Sequence, residues 1–538
     1  MTAGGPLAGR VAIVTGASSG IGRDTCLSLA RAGAIPVLMG RDASRLAETA
    51  AAVVEAGAAA PLMLRLDVRA ESDMLRMAAA TLERHGRIDI LVHAAGILRA
   101  AGTTLRTVAQ LSPDEWDEVV DTNLRGTYFA NRAVLPAMLR AGRGDILNLS
   151  SKSGRQGIAY DAPYCASKFG VIGFSEALAE EVASSGVRVQ VLAPGRFATE
   201  VLRQTRPLPT PDGIPPGSRV ADVILWMLTM PGDVRLSSPI LEPVTTHGTI
   251  GAMAAGAPTT PRAGGTAARS SQRGSPMNTT VARAAKDLRD KVVIVSGGTG
   301  GIGVATARAI GELGGSVVVA DLDPARVEAV AAEIAGLGAS GTLGVAIDVR
   351  REEDHARLVQ GTLERFGRID ALIVCAGILR KRGTAPKLTV DVGVDEWDDV
   401  MSVNLRGVFL ANRAVLPTLV AQRSGLIVNV SSVQGLQGRA YDSAYCASKF
   451  GVIGLSQAIA DEVKSFGVKV QALMPAAVAT PMWEQNLPAP MPGDAIPPER
   501  VADLIVFMLL QPEDSMLVGP VIAPVGARRR KAAPKAVD

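Results

Sequence analysis

Two tandem α/β domains, each a doubly wound parallel sheet, are what this sequence predicts, and three observations predict them. First, the chain repeats itself. TGASSGIG from Thr15 matches SGGTGGIG from Ser296, NLRGTYFANRAVLP from Asn123 matches NLRGVFLANRAVLP from Asn404, and AYDAPYCASKFGVIG ending at Gly173 matches AYDSAYCASKFGVIG ending at Gly454, each pair 281 positions apart. Second, each copy alternates short apolar, β-rich runs with long Ala/Leu/Glu helical segments. That is the pattern of βαβ units whose parallel sheet is covered on both faces. Third, each copy opens with a strand, a Gly-rich loop and a helix, which makes the fold Rossmann-type.

Taken in order, the strand runs of the first copy are VAIVT (11–15), PVLMG (36–40), PLMLRL (61–66), DILVH (89–93), DILNLS (145–150) and RVQVLA (188–193). Helical segments such as SRLAETAAAVVEAG separate them. The copies span 1–248 and 281–527, and the offset still links Thr199 to Thr480. Residues 249–280 are rich in Gly, Ala, Ser, Thr and Pro and carry no acidic residue, so they read as a flexible linker. Residues 528–538 form a basic tail without apolar anchors, read as solvated.

Composition excludes several classes. A formal net charge of +4 gives no global field for nucleic acid, and 3% aromatics cannot make a base-stacking surface. The N-terminus lacks the cationic and apolar regions of a signal peptide, and no apolar run reaches membrane-spanning length. Cys26, Cys165, Cys375 and Cys446 form no C-x-x-C pair or zinc spacing, so no metal is expected and the thiols read as reduced in a cytoplasmic protein.

The Gly-rich loops are the candidate dinucleotide cradles: Gly16, Gly20, Ile21 and Gly22 in the first copy, and Gly297, Gly301, Ile302 and Gly303 in the second. The glycines allow a tight turn and close approach of a pyrophosphate to the helix N-terminus. The end of the second strand separates the copies: Gly40-Arg41 stands where the other has Asp321-Leu322. An Asp there accepts from the ribose hydroxyls and repels a 2′-phosphate, whereas Gly-Arg leaves room and supplies a cation. The first copy is therefore expected to prefer NADP(H) and the second NAD(H). A solvated Arg41 and a helix-capping Asp321 are the alternative.

Tyr164-Cys-Ala-Ser-Lys168 and Tyr445-Cys-Ala-Ser-Lys449 follow Ser151 and Ser432 by 13 residues to the tyrosine, and Asn123 and Asn404 lie upstream. With the loops, these motifs resemble the short-chain dehydrogenase/reductase family over nearly the whole chain outside linker and tail. The resemblance implies two Asn-Ser-Tyr-Lys tetrads for hydride exchange between a nicotinamide and a secondary alcohol or carbonyl. Tyrosine would be the general acid/base, its pKa brought down by a lysine one helical turn away and by the oxidised ring. It also implies that Asp67 and Asp348 meet the adenine and that Thr199 and Thr480 meet the carboxamide.

Both copies depart from the family's N-N-A-G: the first reads His93-Ala-Ala-Gly96, the second Val374-Cys-Ala-Gly377. His93 has no partner histidine and reads as structural. Arg99 and Arg380 are open to an anionic substrate group or to solvent. The segments after Thr199 and Thr480 are where the family covers its substrate. Family members commonly pair through the Tyr/Lys and Asn helices, so the two copies are expected to pair as an intramolecular pseudo-dimer, with two chains able to associate further. The expected function is a two-site alcohol/ketone oxidoreductase, coupled in one form to hydroxyl epimerisation. The alternatives are one active copy beside a structural or cofactor-binding partner, and a cofactor-binding scaffold without turnover.

Overall fold

The computed structural model describes residues 5–199, 214–231, 236, 238–242, 287–486, 490–512 and 515–524. The expected linker and basic tail, and most of the first copy's substrate segment, lie outside the described residues.

Each half holds a seven-stranded sheet. In the first, β1 (Val11–Thr15), β2 (Ile35–Gly40), β3 (Leu62–Arg65), β4 (Ile90–His93), β5 (Gly144–Leu149), β6 (Val187–Pro194) and β7 (Ile240–Leu241) lie in the order 3-2-1-4-5-6-7. In the second, β8 (Val292–Ser296), β9 (Ser316–Asp321), β10 (Gly341–Ala346), β11 (Ala371–Val374), β12 (Gly425–Val430), β13 (Val468–Pro475) and β14 (Val521–Ile522) repeat that order. Every paired strand is parallel. The apolar runs explain this. β1 and β4 to β6 are buried throughout, as helices on both faces require, while the edge strand β3 alternates between half-buried and exposed. The strand order reverses between β1 and β4, and between β8 and β11. A crevice therefore opens at those carboxyl ends, which is where such sheets bind ligands.

The halves face each other through their most similar segments. Helix Ala162–Glu181 packs on helix Ser443–Val463. Small residues permit the approach: a Cβ on Gly173 would fall 2.4 Å from the Phe450 ring, and one on Gly454 2.5 Å from the Phe169 ring. Trp116 stacks on Phe409 at 4.3 Å between centroids, and Tyr128 on Trp397 at 4.2 Å. Arg125 forks onto Asp398 at 2.8 and 2.6 Å, and Arg406 shares its Nε–H between both Asp117 oxygens at 2.8 and 3.1 Å. These pairs exchange places under the 281 offset, so the contact is that of an isologous dimer built within one chain. The buried apolar cluster runs continuously through both halves.

Candidate active site

The two Gly-rich loops sit at the two crevices. Gly16 has φ +67°, and a Cβ there would stand 2.9 Å from the Ala95 amide nitrogen. One on Gly22 would meet the Gly16 carbonyl at 2.2 Å, so the loop closes on the helix beginning at Gly20 only with glycine at both positions. Gly297 and Gly303 repeat this at 2.4 and 2.0 Å, and a Cβ on Gly301 would strike Thr480 at 2.5 Å. In the first half, Gly16, Gly20, Ile21, Gly22, Arg41, Asp67 and Thr199 line one cleft of about 820 Å³. This suits a dinucleotide: a helix N-terminus for phosphate, a cradle a side chain would fill, and room along the strand ends.

The strand ends differ as the sequence suggested. Register sets Gly40 opposite Arg65, so Arg65 joins Arg41 and Arg45 on the cleft wall. Its guanidinium Nε donates to the Arg41 carbonyl at 3.3 Å. In the second half Asp321 accepts from the Thr299 amide at 3.0 Å and the Thr299 hydroxyl at 2.6 Å. The adjacent helix is capped by Asp323, which accepts from Ala325 and Arg326, so Asp321 is not its cap. Asp67 and Asp348 each hold an arginine two residues on, Arg69 at 2.7 Å and Arg350 at 2.6 Å, and those guanidinium groups keep both carboxyls below the ordinary value against the opposing effect of burial. Sequence reasoning did not reach Arg65, Arg45 and Ser18, which line the first cleft, or Thr299, which holds Asp321. Arg65 is found only from sheet register, whereas the loop hydroxyls Ser18 and Thr299 were visible within the motif.

The tetrad residues converge. Asn123 lies in a π-helical turn, Asp121–Arg125, where its Oδ1 accepts from the Ile97 amide at 2.8 Å and its Nδ2 donates to Ser167 Oγ at 3.0 Å. Such turns widen a helix locally and often mark functional sites. Lys168 Nζ donates to the Leu149 carbonyl at 3.0 Å and stands 5.7 Å from the Tyr164 ring centroid. A Cβ on Gly96 would lie 3.1 Å from Asn123 Oδ1 and 3.2 Å from Lys168 Nζ, so the glycine that ends the altered motif leaves room where both meet. Ser151 Oγ accepts from the Ser153 amide at 3.1 Å, and the Ser151 hydroxyl lies close enough to Tyr164 to pull its pKa down against burial. The second half reproduces this. Asn404 accepts from Ile378 at 2.8 Å, Lys449 Nζ donates to the Val430 carbonyl at 3.0 Å and stands 5.6 Å from the Tyr445 ring, and the Ser432 hydroxyl bears on Tyr445 in the same way. Here the reacting groups face a cavity of about 490 Å³, lined by Leu379, Val478, Met482 and Trp483 with Glu180 from the first half at its edge.

Electrostatics differ from the simple expectation of a lowered tyrosine pKa. Burial pushes Tyr164 up to about 12, against the nearby Ser151 hydroxyl, and pushes Tyr445 up likewise. Burial also brings Lys168 and Lys449 down to about 8. The protein alone therefore keeps the phenols protonated, the form that donates to a carbonyl oxygen. The two arginines open to a substrate anion have other partners. Arg99 pairs with Asp161 at 2.5 Å, while Arg380 pairs with Asp442 and donates to Asn486 at 2.9 Å. His93 Nδ1 shares a 3.0 Å bond with the Thr15 hydroxyl, and burial lowers its pKa to about 3, so it is a neutral core residue. All four cysteines are free. Among the described residues no His/Cys/Asp/Glu cluster could hold a metal ion, and no helix is long and apolar enough to cross a membrane.

The family described as short chain dehydrogenase matches at residues 10–209 and again at 291–490. A peroxisomal hydratase-dehydrogenase-epimerase of Neurospora crassa is 28% identical over 93% of this chain, which spans only 57% of that relative. A 3-oxoacyl-[acyl-carrier-protein] reductase of Thermotoga maritima is 34% identical over 44% of the chain and 96% of its own length. A solved structure of the C-domain of a bacterial malonyl-CoA reductase with NADP covers 96% of this chain and 99% of that one, with a TM-score of 0.67. At 19% identity that likeness is one of fold, and it extends across both halves. With its family match occurring twice and its relatives named reductases and dehydrogenases, the chain is an oxidoreductase that belongs to the short-chain dehydrogenase/reductase family.

Proposed function

We propose that the chain, with domains at 1–248 and 281–527, is a two-site alcohol/ketone oxidoreductase with NADP(H) in the first domain and NAD(H) in the second. One observation carries the reading: each half brings its own Asn and Lys together beside a glycine that leaves space between them, with the Lys next to the Tyr ring. A nicotinamide bound beside them supplies hydride exchange with the carbinol carbon. The chain's part is the proton and the pose. Ser151 and Ser432 hold the reacting oxygen against Tyr164 and Tyr445, which pass the proton. Lys168 and Lys449 hold positive charge near the phenols, and Asn123 and Asn404 brace the pocket floor. The cofactor assignment rests on Arg41, Arg45 and Arg65 around Gly40, against Asp321 on its loop hydroxyl. A cytoplasmic setting and a homodimer of chains complete the proposal.

Coupling is the finer part of this reading. An alcohol oxidised at one site, and its ketone reduced from the opposite face at the other, leaves with its hydroxyl centre inverted. The name of the Neurospora relative, which joins a dehydrogenase and an epimerase, favours it. The test supplies one pure alcohol enantiomer with NAD and NADPH together and follows product configuration. Inversion that needs both cofactors and both Tyr164 and Tyr445 supports coupling, and retained configuration throughout ends it.

A further inference from the structure

Each Tyr/Lys helix ends on a carboxylate that reaches into the opposite half. Glu181 accepts from the Thr389 amide at 2.6 Å and the Thr389 hydroxyl at 3.0 Å, and the Tyr441 amide also bears on it. Glu462, its counterpart, accepts from the Val108 amide at 2.9 Å, and the Tyr160 amide bears on it. Tyr160 and Tyr441 have φ of 66° and 67°, a left-handed backbone that a bulky residue keeps only where its surroundings hold it. Tyr160 directly precedes Asp161, and Tyr441 directly precedes Asp442, the residues at the entry of the helices carrying Tyr164 and Tyr445.

We propose that Glu181 and Glu462 are positioning residues acting crosswise: each anchors a loop residue of the other half, Thr389 or Val108, beside the left-handed tyrosine that feeds the chain into that half's catalytic helix. Neither tetrad is then complete without the opposite domain. The proposal rests on the reading of two active tetrads.

The two braces are unequal. The Thr389 hydroxyl, donating to Glu181, also accepts from the Ser443 hydroxyl at 2.9 Å, linking Glu181 to the first residue of the helix bearing Tyr445. In the other half the same positions are Val108 and Ala162. Glu462 is 6% exposed, and its Oε2 has no hydrogen-bond partner among the described residues. Burial therefore raises its carboxyl to about 7. No charged side chain acts on it among the described residues, and on its own helix the neighbouring Asp461 is engaged by Lys464 and the Ala159 amide. A carboxyl raised in the folded state adds stability at low pH and loses it as pH climbs through its folded value. The brace on the first site is thus the one that weakens near neutrality.

Hydrogen–deuterium exchange of the full chain tests this without a substrate. Glu462→Ala is expected to speed exchange across residues 158–166 about tenfold while leaving 439–447 unchanged, and Glu181→Ala to do the reverse. Glu462→Gln, which keeps an acceptor, restores most of the protection. After correction for intrinsic rates, wild-type protection at 158–166 falls between about pH 4.5 and about pH 7 and levels off above, and Val108→Thr flattens that fall. Exchange that rises equally in both segments, or in neither, overturns the proposal. Failure of the two-tetrad reading would instead appear as turnover surviving Tyr164→Phe or Tyr445→Phe, which exchange does not measure.

Discussion

Gly40 and Arg41 show how much a residue and its neighbours can decide. A 2′-phosphate needs space and cations, and the first cleft offers the glycine with Arg41, Arg45 and Arg65 on one wall. A carboxylate at position 40 would fill the space and oppose the phosphate charge. Gly40→Asp with Arg41→Leu is expected to move the first site toward NADH, weakening NADPH binding by about 1.5–3 kcal/mol for the lost charged hydrogen bond. Titration of each cofactor by fluorescence, in a chain whose second site is silenced, checks it. Asp121 makes a different prediction. It stands half-buried beside Asn123, and its carboxyl is raised to about 6, chiefly by burial. Its charge therefore costs stability once pH rises through that value, and the equivalent position in the other half holds the neutral Ser402. Asp121→Asn should raise the melting temperature at about pH 8, with the gain shrinking as pH falls from about 6 and gone below about 4.

At the scale of elements, the repeated FGVIG after each catalytic lysine serves packing as well as chemistry. Gly173 and Gly454 let the two Tyr/Lys helices approach until each glycine meets a phenylalanine of the other half. Gly173→Ala inserts a methyl where no space exists and is expected to cost about 1–3 kcal/mol, read by thermal or urea unfolding. These elements also show what could be read in advance. The strand runs fell within a residue or two of the strands because a parallel sheet buried on both faces demands mostly apolar residues, as in VAIVT, and the polar Asp145 and Asn148 of DILNLS are buried against Arg188 and Asn131. The glycine loops and the Tyr-x-x-x-Lys spacing were legible because each is a local pattern with one geometric purpose. The pairing of Arg65 with Gly40 was not, since register between strands is written in no single segment. Nor was the occupation of Arg99 and Arg380 by Asp161 and Asp442, each 62 residues distant in sequence.

For the whole molecule, the repeat becomes a dimer within one chain. Aromatic stacks, crossed arginine–aspartate pairs and a shared apolar cluster join the halves, and a stack of this kind contributes about 0.5–1.5 kcal/mol beyond its buried area. Tethering keeps the second domain at high local concentration, so the contact needs no further affinity to persist. The same arrangement sets two differently decorated strand ends on one body, and the proposed cofactor preferences rest on that asymmetry within symmetry. Its most direct measurement is the initial rate of the full-length chain with one tyrosine replaced at a time, assayed across a panel of secondary alcohols and ketones with each cofactor. Tyr445→Phe should leave a chain that prefers NADPH over NADH, and Tyr164→Phe one that prefers the NAD pair. The same preference in both variants, or turnover lost entirely when only one tyrosine is replaced, would contradict the account.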